Sequence, residues 1–328
     1  MTSRALDIVA IGDAIVDVIA TCDDSFLDAR GFAKGSMRLL SPDQASDLYG
    51  AIGPARETSG GSAANSMAGS AALGLSVGFV GQVANDQLGA IFSHDMRALG
   101  IRFDTPAISG PPPTGVCLIL VTPDAQRTMS TCPGASHELT SAALDPDLIR
   151  SSKITFLEGY LWGPERPRAA MLEAARIAQE ADRTVAFTLS ESLCIDDRRE
   201  GVLGMIDAGL VDILFGNEHE MRHLTGCAST NDCIAALSSK VATLVMTRGA
   251  DGAIAVDSGE RVDVAAAPAE AVVDTTGAGD QFAAGFLAGR LRGRPLRQCL
   301  EAGAFAAAEV ISHFGARPEG DLRQVVNL

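Results

Sequence analysis

At 328 residues and 33.9 kDa, the chain is long enough for one large α/β domain with a small appendage. Its 41 acidic and 26 basic residues give a formal net charge of −15. This charge argues against a nucleic-acid or anionic-membrane partner, because both need a basic field. Seven scattered cysteines without a C-x-x-C pair are typical of reduced thiols, and no targeting segment is evident. We therefore expect a cytoplasmic protein.

The first third of the chain alternates short strands with small helices. Ala5–Gly12 is an apolar run ending in glycine, which is typical of a central parallel strand. Ile15–Thr21 and Ser36–Leu40 are expected to be extended segments outside the main sheet. A double glycine then precedes an alanine-rich helix that carries Asn65 in its first turn. The glycines permit a bend there, and Asn65 could hydrogen-bond a ligand.

A hairpin pattern interrupts this alternation of strands and helices. Arms at Gly115–Val121 and Arg127–Thr131 surround a proline-aspartate turn. We expect the hairpin to join the early extended segments in a small lid sheet, formed by residues near 13–40 and 102–132. Residues 1–328 then form a single domain with this lid.

Strands and helices alternate regularly after the hairpin. The repetition predicts the α/β class, with a doubly wound, mainly parallel sheet. The predicted strands lie near Ile154–Leu157, Val185–Leu189, Ile213–Phe215 and Leu244–Thr247, with a closing antiparallel pair at Ala253–Val256 and Arg261–Ala265. The predicted helices lie near Arg166–Ala181, Asp197–Ile206, Glu218–Leu224, Asp232–Ser239, Leu296–His313 and Leu322–Val326.

A glycine-rich turn, Asp274-Thr-Thr-Gly-Ala-Gly-Asp280, leads into an Ala/Phe/Leu-rich helix. The N–H groups of Gly277, Ala278 and Gly279 and the positive end of the helix dipole suit a phosphate group. A carboxylate beside that phosphate would repel it. Asp280 is therefore best explained as a base that removes a proton from a hydroxyl attacking the phosphate. The alternative is an ordinary helix start with glycines for packing.

Three other site patterns fit less well. No lysine follows a glycine, which excludes a Walker A motif, and the first strand lacks the glycines of a Rossmann fingerprint. The stretch His219-Glu-Met-Arg-His223 matches the H-E-x-x-H zinc pattern, but the third histidine of its extended form is replaced by Ser229. We interpret the two histidines as half-exposed residues of a short helix, and a zinc hydrolase stays a rival hypothesis.

Asn217-x-x-Glu220 directly follows a predicted strand, at the edge that also holds the Asp280 turn. An amide and a carboxylate there suit a hydrated Mg²⁺ ion beside triphosphate oxygens. Asn217 could equally be a helix N-cap, with Glu220 completing a capping box.

Together the motifs resemble those of the PfkB, or ribokinase-like, family of small-molecule kinases. Gly60-Gly61-x-x-x-Asn65 is similar to the first family signature, Asn217-x-x-Glu220 to the magnesium and phosphate motif, and Asp274–Asp280 to the second signature. They occur in the family's order over almost the whole chain. The resemblance implies an α/β/α sandwich with a small β lid, and the use of ATP and Mg²⁺.

Within the family, Ser62, Asp17 and the Arg127-Thr-Met129 stretch are more similar to adenosine kinases than to ribokinases. Asp13 departs from that pattern, because adenosine kinases commonly have asparagine there. The resemblance implies ATP-dependent phosphorylation of the 5′-hydroxyl of adenosine with Asp280 as general base. A sugar kinase acting on a ribose- or fructose-like acceptor is the closest alternative, and a silent nucleotide-binding protein is another.

The resemblance also assigns residues to the two substrates. Asp17 would accept hydrogen bonds from the ribose hydroxyls, although an acidic residue at a strand end is often only a turn residue. A monovalent cation such as K⁺ is expected near Asp274, and both monomers and lid-to-lid homodimers occur in the family. The expected nucleotide-binding residues are Asn217, Glu220, Thr247, Gly249 and Thr276. The expected acceptor-binding residues are Asp13, Asp17, Gly60, Gly61, Asn65, Arg127 and Met129, with Ile15, Leu40 and Leu161 as further apolar walls or else core residues.

Overall fold

The computed structural model has thirteen strands and twelve α-helices over its described residues, 5–191 and 198–326. The strands are β1 (Ile8–Ile11), β2 (Ile15–Thr21), β3 (Met37–Leu39), β4 (Ala55–Gly60), β5 (Val77–Val80), β6 (Gly115–Val121), β7 (Arg127–Cys132), β8 (Ile154–Glu158), β9 (Thr184–Thr188), β10 (Ile213–Asn217), β11 (Thr243–Thr247), β12 (Ala253–Asp257) and β13 (Glu260–Val264). The α-helices are α1 (Asp24–Asp28), α2 (Pro42–Ala51), α3 (Ser62–Ala72), α4 (Gln87–Ala98), α5 (Pro146–Ser151), α6 (Glu165–Glu180), α7 (Arg199–Asp207), α8 (Glu218–Thr225), α9 (Thr230–Leu237), α10 (Ala278–Leu291), α11 (Leu296–Val310) and α12 (Leu322–Val326).

The main sheet has eight strands in the order β13-β12-β11-β10-β9-β8-β1-β5. The six strands β11, β10, β9, β8, β1 and β5 are parallel to one another, and β12 and β13 close the sheet as antiparallel strands. The central strands are fully buried because helices cover both faces. The predicted doubly wound, mainly parallel sheet is confirmed.

Alternate residues of β1 show how the two helical layers are filled. Ile8 and Ala10 pack with Met67 of α3 and Leu300 of α11 in one core. Val9 and Ile11 pack in the second core with residues of α5 to α9. Because side chains alternate along a strand, one apolar run supplies both layers.

The lid is a sheet of five strands in the order β3-β7-β6-β2-β4. Its outer face is apolar, since Val16 and Val18 of β2 pack with Leu48 of α2. α2 begins with a capping box, in which Ser41 accepts from the Gln44 N–H and the Gln44 side chain accepts from the Ser41 N–H. The opposite face of the lid carries Arg127, which contacts Asp274 of the main domain.

The structure also differs from the predicted elements in places. β4 was not predicted, because Ala55-Arg-Glu-Thr-Ser-Gly60 is a polar edge strand without apolar alternation. The predicted Leu296–His313 helix ends at Val310, and Asp197, the predicted start of α7, lies outside the described residues.

The described part of the chain has no helix both long and apolar enough to cross a membrane. The six cysteines that the structure describes are all free.

Candidate active site

Two helix N-termini converge and bring the catalytic candidates together. α3 begins after Gly61, whose φ is 92°, and α10 begins after Gly277, whose φ is 78°. Both conformations favour glycine. In the first turn of α10, the Asp280 carboxylate accepts hydrogen bonds from Ser62 Oγ at 2.6 Å and Asn65 Nδ2 at 3.4 Å. The proposed base therefore lies beside the proposed acceptor-binding residues.

The environment of Asp280 favours its protonated form. The pKa of this carboxyl is raised to about 6, chiefly by burial and also by the negative charge of Asp17. The hydrogen bonds from Ser62 and Asn65 act in the opposite direction, because they stabilise the carboxylate. A carboxylate with a pKa this close to neutrality is a stronger base than an ordinary aspartate.

Arg127 on β7 shows which face of the lid is turned toward the main domain, and we call it the cleft face. Its Nη1 lies 2.8 Å from Asp274 Oδ2 in the glycine-rich turn. Paired residues on neighbouring strands point to the same face, and so do residues two positions apart. This cleft face carries a polar row of Asp17, Thr58, Cys117 and Thr131 and, beside it, an apolar row of Ile19, Ile119, Met129 and Met37.

The candidate apolar walls separate into two groups. Ile15 and Met129 lie on the cleft face of the lid, by the same alternation. Leu40 packs instead in the core that includes the outer face of the lid, and Leu161 is fully buried in the second core. Leu40 and Leu161 are therefore core residues.

Asp17 is close to the double glycine. A Cβ atom on Gly60 would overlap the Asp17 carboxylate, so glycine is required for the observed approach. The pKa of Asp17 is raised to about 6 by burial, against the lowering effect of the positive charges of Arg317 and Arg127. The half-buried carboxylate faces the cleft, where hydroxyl donors could reach it.

Asp13 lies deeper, beside the buried carboxyl group of Glu158. The Asp13 N–H donates to Glu158 Oε1, and the Ala63 N–H donates to Glu158 Oε2 at 2.6 Å. Glu158 thus joins the turn after β1 to the start of α3. Asp13 is 5% exposed, and its Oδ1 atom has no hydrogen-bond partner. Burial raises the pKa of Asp13 to about 6.

The glycine-rich turn is held by Asp274. Its Oδ1 accepts from the Thr276 N–H at 3.1 Å and from Thr276 Oγ1 at 2.7 Å, and its Oδ2 accepts from the Gly315 N–H at 2.9 Å. Arg127 also contacts Oδ2, so both oxygens of the Asp274 carboxylate have protein partners. The K⁺ ion expected near Asp274 stays a prediction. The Ala278 N–H donates to the Thr275 carbonyl at 3.3 Å, a long bond that a phosphate oxygen could replace.

Asn217 and Glu220 form the predicted capping box. Asn217 Oδ1 accepts from the Glu220 N–H at 2.9 Å, and Glu220 Oε2 accepts from the Asn217 N–H at 2.8 Å. The pKa of Glu220 is raised to about 7, first by burial and then by the charges of Glu191 and Asp280. A nearby divalent cation would offset the negative charges of Glu191 and Asp280 that act on Glu220.

Thr247 and Gly249 lie beside this cap. Thr247 pairs with Asn217 at the carboxyl end of β11. Gly249 follows with a φ of 57°, and a Cβ there would meet nothing within 4 Å. Gly249 therefore borders open space near the sheet edge where α8 begins.

His219 and His223 have ring centroids 4.4 Å apart on α8. Within residues 5–191 and 198–326 there is no group of three or more His, Cys, Asp or Glu side chains that could hold a metal ion. The zinc-hydrolase hypothesis thus lacks a third ligand among the described residues.

Four contacts at the site were not predicted from the sequence. Ser62 binds Asp280, and Gln281 Nε2 donates to the carbonyls of Asn65 and Ala316 at 3.0 and 2.9 Å. Arg317 also contacts Asn65. Gln281 and Arg317 are far apart in sequence from Asn65, and no local pattern signals such contacts.

A cavity of about 420 Å³ lies elsewhere, at the end of β2 beside Cys22 and Phe26. None of the candidate site residues lines it.

Comparisons with known proteins cover nearly the whole chain. A family profile of pfkB family carbohydrate kinases matches residues 5–321. A 5-dehydro-2-deoxygluconokinase of Shouchella clausii is 32% identical over 77% of this chain and 80% of that protein. An adenosine kinase of Dictyostelium discoideum is 25% identical over 95% of this chain and 96% of that protein.

Solved structures give a similar result. The adenosine kinase from Sinorhizobium meliloti is 44% identical with a TM-score of 0.91 and covers 99% of both chains. A probable sugar kinase from Rhizobium etli is 40% identical with a TM-score of 0.92 and covers 99% of this chain and 98% of that chain. The two-sheet architecture is therefore shared with solved relatives.

Proposed function

The chain belongs to the pfkB family of carbohydrate kinases, and we propose that it transfers the γ-phosphoryl group of ATP to the 5′-hydroxyl of adenosine, giving AMP and ADP. The observation that carries this proposal is the juxtaposition of Asp280 with Ser62 and Asn65 at the start of α10. A carboxylate of raised pKa there faces the side on which an acceptor hydroxyl would lie.

In the proposed reaction, Asp280 takes the proton of the attacking hydroxyl as its oxygen bonds to the γ-phosphorus atom. The bond from that phosphorus to the bridging oxygen of ADP breaks, and the electron pair leaves with ADP. The N–H groups of Gly277, Ala278 and Gly279 would stabilise charge on the transferred group. Arg127 reaches the same turn from the lid and would add a positive charge near it.

The cleft face of the lid supports a nucleoside acceptor. Asp17 in its polar row can accept from two vicinal ribose hydroxyls, with Asn65 beside it. The neighbouring apolar row, which includes Met129 and Ile119, offers aliphatic surface to a flat base. A small sugar would use the polar row alone.

The capping box supports the use of Mg²⁺ with ATP. Asn217 and Glu220 would hold the hydrated ion through water, because their oxygens already bond to each other's donors. When bound, the ion would neutralise charge on the phosphate oxygens.

A sugar kinase is the second candidate function. It is favoured by the 32% identity to the Shouchella clausii 5-dehydro-2-deoxygluconokinase. Asp13 also favours it, since its unpartnered Oδ1 is an acceptor suited to a further hydroxyl.

A coupled assay of ADP release across a panel of nucleosides and sugars tests the proposal. Adenosine should give the highest kcat/KM, with AMP identified as the product. Stimulation by a sugar such as 5-dehydro-2-deoxygluconate without any by adenosine would refute the adenosine assignment and leave the kinase. Acceptor-independent ADP release alone would contradict both candidates.

A further inference from the structure

Arg317 follows α11 in the chain and contacts β4 and α3, the two elements on either side of the double glycine. Its Nε donates to Asn65 Oδ1 at 3.2 Å, and its Nη1 donates to Ser59 Oγ at 2.7 Å. Ser59 Oγ in turn donates to Asp95 Oδ2 at 3.2 Å. The guanidinium group therefore connects the end of β4 with the first turn of α3.

The donors of Arg317 determine which way the Asn65 amide points. A guanidinium group has no acceptor, so the oxygen of the amide must face Arg317 and the NH₂ group must face away. The NH₂ group lies 3.4 Å from Asp280 Oδ2. An amide with the opposite orientation would direct its oxygen at a carboxylate and repel it.

Arg317 also contributes charge to the site. Burial raises the pKa of Asp17, and the positive charges of Arg317 and then Arg127 lower it. The other titratable groups that face Asp17 are Cys117 on β6 and Asp280 on α10.

We propose that Arg317 is a positioning residue, which orients the Asn65 amide toward Asp280. This inference rests on the proposed phosphoryl transfer by Asp280, but it does not depend on which hydroxyl compound is the acceptor. Arg317 would act through Asn65 and not by direct contact with the transferred group.

Two variants separate the orientation of the Asn65 amide from the positive charge of Arg317. In Arg317→Met both are lost, so kcat should fall on the order of 100-fold because the site is misaligned. The acidic limb of kcat/KM for the acceptor should move to higher pH, because Asp17 is then protonated more readily, while KM for ATP stays unchanged. In Arg317→Lys the charge remains, so the acidic limb should stay in place. The kcat of Arg317→Lys should still be reduced, because an ammonium group cannot reproduce the planar arrangement of donors in the guanidinium group.

A double-mutant cycle with Asn65→Ala tests the path of the effect. If Arg317 acts on kcat through the amide, Arg317→Met should lower kcat no further in the Asn65→Ala background. An equal loss of kcat in both backgrounds would overturn the proposal.

Arg292→Met is the matched control. Arg292 Nη2 donates to the Leu73 carbonyl and so joins the C-terminal ends of α10 and α3, far from Asp280. It lies about 18 Å along α10 from Asp280, at 1.5 Å per residue. Its kcat and pH profile should equal those of the wild type, whereas an equal loss in this variant would mean that helix packing alone is responsible.

Thermal melting checks that each variant is folded. If Arg317→Met does not fold, Arg317→Lys decides, and a wild-type kcat in that variant would overturn the orienting role. The acceptor is the compound that the ADP-release panel identifies. A wild-type protein that phosphorylates no acceptor refutes the proposed function, whereas an active wild type with unaffected Arg317 variants refutes this inference alone.

Discussion

At the scale of single residues, the proposed chemistry depends on the hydrogen bonds of one carboxylate. Ser62 Oγ and Asn65 Nδ2 bind separate oxygens of Asp280. They stabilise its ionised form, whereas burial and Asp17 stabilise the protonated form. The balance of these effects sets the pH at which Asp280 ionises.

Replacing Ser62 with alanine should therefore shift the pH profile of the reaction. The wild-type kcat should rise with pH through about 6, because Asp280 must lose its proton before it can act. Without the Ser62 hydrogen bond the pKa of Asp280 is higher, so the rise should occur at higher pH. Steady-state kcat measured between pH 5 and 8 gives the midpoint of this rise. An unchanged midpoint in the variant would contradict the role given to Ser62.

At the scale of elements, two short connections would position the substrates of the proposed reaction: the β4–α3 junction and the cap of α8. At the first, Gly60 allows Asp17 to lie directly against the backbone. At the second, the capping box places Asn217 and Glu220 at the edge of the main sheet.

Gly60→Ala should displace the Asp17 carboxylate, because the added Cβ would overlap it. We expect KM for the acceptor to rise about tenfold or more, equivalent to roughly 1.4 kcal/mol, while KM for ATP is unchanged. Gly53→Ala is the control, since a Cβ at Gly53 meets nothing within 4 Å. Equal acceptor KM values for the two variants would contradict the placement of Asp17.

The structural role of Asn217 can be separated from its proposed role with Mg²⁺. Asn217→Ala should lower the free energy of unfolding by about 1 kcal/mol through loss of the cap. Asn217→Ser keeps a capping oxygen and should restore most of that stability. If Asn217 also holds hydrated Mg²⁺, both variants should need more Mg²⁺ for half-maximal activity. An unchanged Mg²⁺ requirement would leave the cap as its sole role.

At the scale of the whole molecule, the lid and the main domain are joined by a buried ion pair. The side chains of Arg127 and Asp274 are 10% and 5% exposed. This pair links β7 of the lid to the turn that would hold the phosphates. The ion pair thereby holds the lid against this turn.

Arg127→Met should destabilise the protein by about 3–5 kcal/mol, because it leaves the Asp274 carboxylate buried without its cation. The double variant Arg127→Met, Asp274→Asn should recover part of that loss, since no unpaired charge remains. Urea denaturation of the single and double variants measures the coupling. Simple addition of the two single effects would show that the pair contributes nothing.

Much of this arrangement could be predicted from local patterns. The apolar runs of the central strands, the capping boxes at Ser41 and Asn217 and the glycine-rich turn before Asp280 each have a local physical cause. β4 could not be predicted, because its pairing with β2 compensates for a polar sequence. The contacts of Arg317 and Gln281 with Asn65 also required the tertiary fold, since they join segments more than 200 residues apart.

The most direct test of the central claim compares the wild type with Asp280→Asn for AMP formation from adenosine and Mg·ATP. The wild type should form AMP, and the variant should form it about 10²- to 10⁴-fold more slowly, as expected when a general base is lost. Binding of ATP and adenosine by the variant, measured by calorimetry, should be retained. AMP formation by Asp280→Asn at the wild-type rate would contradict the assignment of Asp280 as the catalytic base.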